Sequence, residues 1–115
     1  MAFLIYTSSI DIVNTLNYII PMIFEWDPDK DITNQRKHGI SFSEAKDIFD
    51  DPLQLSILDQ RFSYFEERWI TIGQTKKAHV LVVANLFFNK DGEEVIRLIS
   101  AREATANERR QYEEI

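Results

Sequence analysis

The chain has no cysteine, two histidines, three glycines and three prolines, and each scarcity removes a class of function. Without cysteine there is no disulfide framework, no thiolate metal site and no thiol nucleophile. His38 and His79 alone give a structural zinc site almost no ligands, so no metal and no cofactor is expected. No glycine-rich phosphate loop can be traced, and no Ser, His, Asp order suited to acyl transfer is recognisable. Basic residues are also in deficit, 13 against 19 acidic, for a net charge of -6. Any contact with nucleic acid must therefore come from a local patch, not from a generally basic surface. At 115 residues the chain has the length of one domain with a single modest core, and the lack of cysteine fits a reducing, cytoplasmic setting.

Long uninterrupted apolar runs are missing as well. Residues 1–23 hold no Lys or Arg and one acid, Asp11, whereas the chain after Phe24 is densely charged. Asp11, Asn14 and Asn17 interrupt that stretch too often for a bilayer span, and it lacks the basic start and cleavage site of a signal peptide. No membrane partner is expected. The composition break divides the chain into an extension, 1–21, and a domain, 22–115. The extension is either an added element at the edge of the core or the product of a start upstream of Met22.

The remaining sequence reads as α+β. "FEWD" at 24–27 alternates as a short half-buried strand does, and Asp27-Pro28 supplies an N-cap followed by proline at the first helical position. That helix runs to Gly39, suited to the left-handed conformation past a helix end. Ser41 and Glu44 form a capping box for a second helix, SFSEAKDIF. From Leu53 the period changes to two, a polar loop spans Gln60 to Tyr64, and four strands follow the helices. The last two form a hairpin at Asn89-Lys90-Asp91-Gly92. Thr105 and Glu108 open a terminal helix with another capping box.

Two clusters could carry chemistry. On a helical wheel Lys30, Asn34, Lys37 and His38 fall within about a third of the circumference, giving the first helix one cationic stripe. The same residues could instead complement the helix dipole and bond nearby backbone. In the last strand Arg97 interrupts an apolar face, which is costly unless its guanidinium meets water, a carboxylate or a phosphate. A pairing of Arg97 or Arg68 with Glu67 and a phosphate clamp both satisfy that need. Arg102 precedes the terminal helix, whose first amides favour anions. What remains is cation-supported chemistry on a phosphodiester, or no chemistry.

Taken together, FEWD, NQRKHGISFSEA, DDP, EERWITIG and IRLISAREATANERRQYE resemble the BrnT family of toxins of bacterial type II toxin-antitoxin systems, over residues 22–115. The family begins a residue or two before its F-x-W-D strand, as a start at Met22 would, and lacks the extension. The resemblance implies a RelE-like fold with a small antiparallel sheet of about four strands plus a short N-terminal strand, two N-terminal helices and one C-terminal helix. It implies a ribonuclease that blocks translation and needs no metal. The implied partners are RNA, a BrnA-type ribbon-helix-helix antitoxin, and operator DNA only through the antitoxin complex. Carried onto this chain, the matching positions are Trp26, Lys30, Asn34, Lys37, His38, Glu67, Arg68, Arg97, Ser100, Arg102, Glu108, Arg109 and Tyr112; among them the expected catalytic set is His38, Glu67, Arg68, Arg97 and Arg102, and the expected RNA-binding set is Trp26, Lys30, Asn34, Lys37 and Tyr112. An imidazole can serve either proton role near neutral pH, with Glu67 the competing base. Trp26 either stacks on a base or belongs to the core. The alternative to an enzyme is a non-catalytic interaction module, or a co-repressor acting only through its antitoxin complex.

Overall fold

A computed structural model describes the backbone of residues 4–11, 19–61 and 66–114, with side chains from residue 22 onward within those ranges. The loop expected over Gln60–Tyr64 lies partly outside the described residues, as do the side chains of 1–21. The elements in chain order are β1 (Leu4–Asp11), β2 (Ile19–Trp26), α1 (Pro28–His38), α2 (Phe42–Ala45), a 3-10 segment (Lys46–Asp50), β3 (Leu55–Leu58), β4 (Trp69–Gln74), β5 (Val80–Lys90), β6 (Glu93–Glu103) and α3 (Ala106–Glu113). The class is α+β with three helices.

Strands β2 to β6 form a mixed sheet, extended at one edge by β1, in the order β1-β2-β6-β5-β4-β3. The expected purely antiparallel sheet is corrected here: Ile23, Phe24 and Glu25 pair in parallel with Val95, Ile96 and Arg97. Because α1 to β5 intervene between β2 and β6, the chain returns to β2 in the same direction, a pairing that no local turn signal encodes. The hairpin between β5 and β6 matches its Asp-Gly signal. Asp91 and Gly92 both have positive φ, 53° and 82°, as a two-residue type I′ turn requires.

One face of the sheet carries the core. Phe24, Trp26, Leu81, Val83, Ile96 and Leu98 are buried on it against Phe42, Ala45, Ile48 and Phe49 from α2 and the 3-10 segment. Trp26 meets Phe42 edge-on with ring centroids 6.1 Å apart. The expected second helix begins at its Ser41 cap, which accepts from the Glu44 N–H, but tightens to 3-10 after Ala45. Only half of its capping box forms, because the Glu44 carboxylate reaches Nδ1 of His79 at 3.1 Å. Gly73 lets the 3-10 segment approach β4: an added Cβ there would lie 2.9 Å from the Ile48 Cβ and 3.0 Å from its carbonyl oxygen. On the opposite face α3 covers only one end, where Tyr112 is buried and its hydroxyl donates to Asp51. Among the described residues no other helix lies on that face, where Ile70 and Ala84 stay partly exposed and Ser100 is exposed.

Candidate active site

The site begins where α1 ends. Asp27 accepts from the Asp29 N–H at the N-terminus, and Gly39 takes φ 71° at the other end, so the helix stops at His38. The pairing of β2 with β6 ends at Glu25 and Arg97, and α1 runs beside the edge of β6 beyond that point. Asn34 joins the two: its amide donates to the carbonyls of Ala101 at 2.8 Å and Ile40 at 2.9 Å, and its oxygen accepts from the Ala101 N–H at 3.0 Å. One side chain thereby takes up both outward-facing backbone groups of a strand residue, which would otherwise be unpaired.

Two hollows open on either side of this junction. The first lies between α1 and β6 and is lined by Lys30, Lys37, His38, Ile99 and Ser100, with Asn34 at its base. The second lies on the open sheet face, with Ile70, Val82 and Ala84 as an apolar floor and Arg68, Arg102 and His38 around it. His38 and Ser100 border both. Glu67 and Arg97 share a third hollow further along the same face, beside Leu86 and Phe88. The structure thus brings together Lys30, Lys37, His38, Arg68 and Arg102, and sets Glu67 and Arg97 apart from them.

Arginine is held in place rather than loose. Arg102 makes two bonds to Glu108, 2.7 and 2.9 Å, and Glu108 in turn closes the capping box with Thr105. The hydrogen bond from Arg102 holds the Glu108 carboxyl down at about 2, against the burial that raises it, and the same bond raises Arg102. The anion expected at the start of α3 is therefore the helix's own Glu108. Arg97 bonds Glu25, not Glu67, and lies 4.9 Å over the Phe88 ring. Glu25 is 3% exposed, so this pair anchors β2 to β6 where the two run in parallel. At the far rim of the second hollow the Arg61 guanidinium, bonded to Asp59 at 3.1 Å, keeps the Asp59 carboxyl below its usual range.

Three residues expected to touch RNA do not present themselves to it. Trp26 is 1% exposed and belongs to the core. The Asn34 amide is spent on backbone, and Tyr112 is turned into the sheet toward Asp51. Ala84, Ile70, Asp59 and Arg61 line the site without having been anticipated. Their contribution depends on which strands lie side by side, and no spacing within the sequence reports that. Among the described residues no group of three or more His, Asp or Glu side chains is arranged to hold a metal ion, and no helix is long and apolar enough to cross a membrane.

No curated protein matches the sequence. Among solved structures, the crystal structure of the ribonuclease toxin BrnT of Brucella abortus is similar, with a TM-score of 0.50 at 23% identity, covering 70% of this chain and 92% of that one. At that identity the likeness concerns the fold. The sequence profile described as "Ribonuclease toxin, BrnT, of type II toxin-antitoxin system" matches residues 26–108, from the core tryptophan of β2 to the glutamate that holds Arg102. With most of its length matched, the chain belongs to the BrnT family of ribonuclease toxins of type II toxin-antitoxin systems.

Proposed function

We propose that the chain is an endoribonuclease that cleaves RNA without a metal ion and thereby inhibits translation, and that its sheet is RelE-like in using an open face for RNA. The observation that carries this reading is the position of His38, exposed at a glycine-capped helix end between Lys30 and Lys37 on one side and Arg68 and Arg102 on the other. In the reaction a ribose 2′-hydroxyl attacks the adjacent phosphorus, its proton passes to a base, and the departing 5′-oxygen receives a proton. The products are a 2′,3′-cyclic phosphate and a 5′-hydroxyl. His38 fills one proton role, with Glu67 the competing candidate from the neighbouring hollow. Arg68 and Arg102 stabilise the charge that accumulates on phosphorus, and Lys30 and Lys37 hold the flanking phosphates. Arg102 acts through directed N–H groups, since its pairing with Glu108 leaves little net charge.

Neutralisation follows from the same surface: a ribbon-helix-helix antitoxin of the BrnA type covers the cationic hollows and excludes RNA, and the complex binds operator DNA through the antitoxin. The toxin acts in the cytoplasm, and residues 22–115 form the toxin unit. The test is incubation of purified protein with RNA, with and without EDTA. Cleavage to 5′-hydroxyl ends that EDTA leaves unchanged supports the reading. An intact RNA beside a tight antitoxin complex would make the chain an interaction module.

A further inference from the structure

The register of the strands allows the open face of the sheet to be followed row by row. One cross-strand row runs Leu55, Ile72, Val82, Arg102, and the next runs Ile57, Ile70, Ala84, Ser100. Directly paired residues share a face, so the second row steps down from two isoleucines to a methyl and a hydroxymethyl group. That step is a dip in the sheet, beside the irregular register at Ala84/Asn85. Bulges of this kind recur near functional sites because they re-aim side chains. Ile70 bounds the dip on one side, Val82 and Arg102 stand in the next row, and His38 overhangs from α1. Ser100 and His38 also form the partition toward the hollow of Lys30 and Lys37.

We infer that this dip seats one unpaired nucleobase of the RNA, laid flat over Ala84 and Ser100 against Ile70. The phosphate of that nucleotide then lies at the partition of His38 and Ser100, and the next phosphate lies beside Lys30 and Lys37. The inference rests on the ribonuclease reading and adds to it a base-binding subsite and the residue that shapes it. Small side chains are what the role requires, because a planar ring gains most when it can approach a floor closely over its whole area. A base inside a duplex has both faces stacked and cannot lie down on such a floor, so the seat selects single strands. An apolar floor rimmed by arginine N–H donors suits a ligand whose planar group is tethered to phosphates.

The test is a cycle between protein and ligand. The ligands are 2′-O-methylated trinucleotides, which lack the attacking hydroxyl, intact or with one base removed at each position in turn. Their affinity is measured by chemical-shift titration against the wild type and Ala84→Leu, which fills the dip from its floor. Removing the base at one position should weaken wild-type binding on the order of 10-fold, a typical stacking loss. Ala84→Leu should weaken the intact trinucleotide by a similar factor, and the two changes together should cost no more than either alone. Equal losses at all three positions, or losses that add, overturn the seat. If Ala84→Leu does not fold, the wild-type scan decides by itself. A variant that binds every trinucleotide normally but loses the antitoxin makes the dip a protein-docking surface and overturns the inference. Cleavage of unmodified RNA is followed in parallel: cleavage with a flat scan removes the seat alone, whereas neither cleavage nor binding removes the ribonuclease reading together with it.

Discussion

The carboxamide of Asn34 makes three hydrogen bonds to backbone, two of them to Ala101, and so fixes the distance between α1 and β6 on which the two hollows depend. Asn34→Leu preserves the volume and removes every bond. It leaves the Ala101 N–H, the Ala101 carbonyl and the Ile40 carbonyl in a dry contact, each worth about 1–3 kcal/mol when unsatisfied. Urea denaturation should show a loss of about 3 kcal/mol or more. His38 four residues later is the opposite case, exposed and dispensable to packing. His38→Gln should leave the denaturation curve in place and slow single-turnover RNA cleavage by about 10²- to 10⁴-fold, the usual loss for a general acid or base. A wild-type rate from His38→Gln would return the proton role to Glu67. The contrast explains why the stripe Lys30, Asn34, Lys37, His38 could be seen in the sequence but not divided. All four lie on one side of α1, and only the position of β6 decides which is a structural clamp and which face the groove.

Elements with caps were legible and elements made by long-range pairing were not. Asp27-Pro28, Gly39, the Thr105–Glu108 box and Asp91-Gly92 each encode an end or a turn within a few residues, and each appears in the structure as read. The parallel alignment of β2 with β6 and the pairing of Arg97 with Glu25 join residues 72 positions apart, and Trp26 is buried against Phe42 of α2. The shift to 3-10 geometry after Ala45 escaped for a different reason, since it meets β4 at Gly73 and the sequence does not reveal that contact. Gly73→Ala should push the 3-10 segment off the sheet and cost about 1–3 kcal/mol, as overpacking of a close contact does, readable as a lower Tm. For α3 the measurable quantity is pH. Glu108 falls from the ordinary 4.5 to about 2 on folding, so its contribution is complete above pH 4.5 and is lost as pH falls toward 2. Glu108→Gln should flatten the stability profile across that acid window, measured by thermal unfolding at a series of pH values.

At the scale of the molecule, the family match spans residues 26–108 and every residue assigned to the site lies within it. A chain of residues 22–115 keeps the pairing of Ile23, Phe24 and Glu25 with β6, so it should fold, cleave RNA as the full chain does and melt within a few degrees of it. A collapse of its Tm would place β1 in the cooperative unit. The Asn34–Ala101 junction has one more consequence, and it concerns time. Its two residues are 67 positions apart, and the cation-bearing helix and the small-residue floor lie on either side of it. During synthesis at about 5–20 residues per second, roughly 3 to 13 s separate the appearance of one half from that of the other. A nascent chain therefore carries His38 long before it carries Ser100 and Ala101, and the two sides of the proposed site come together only after β6 has emerged.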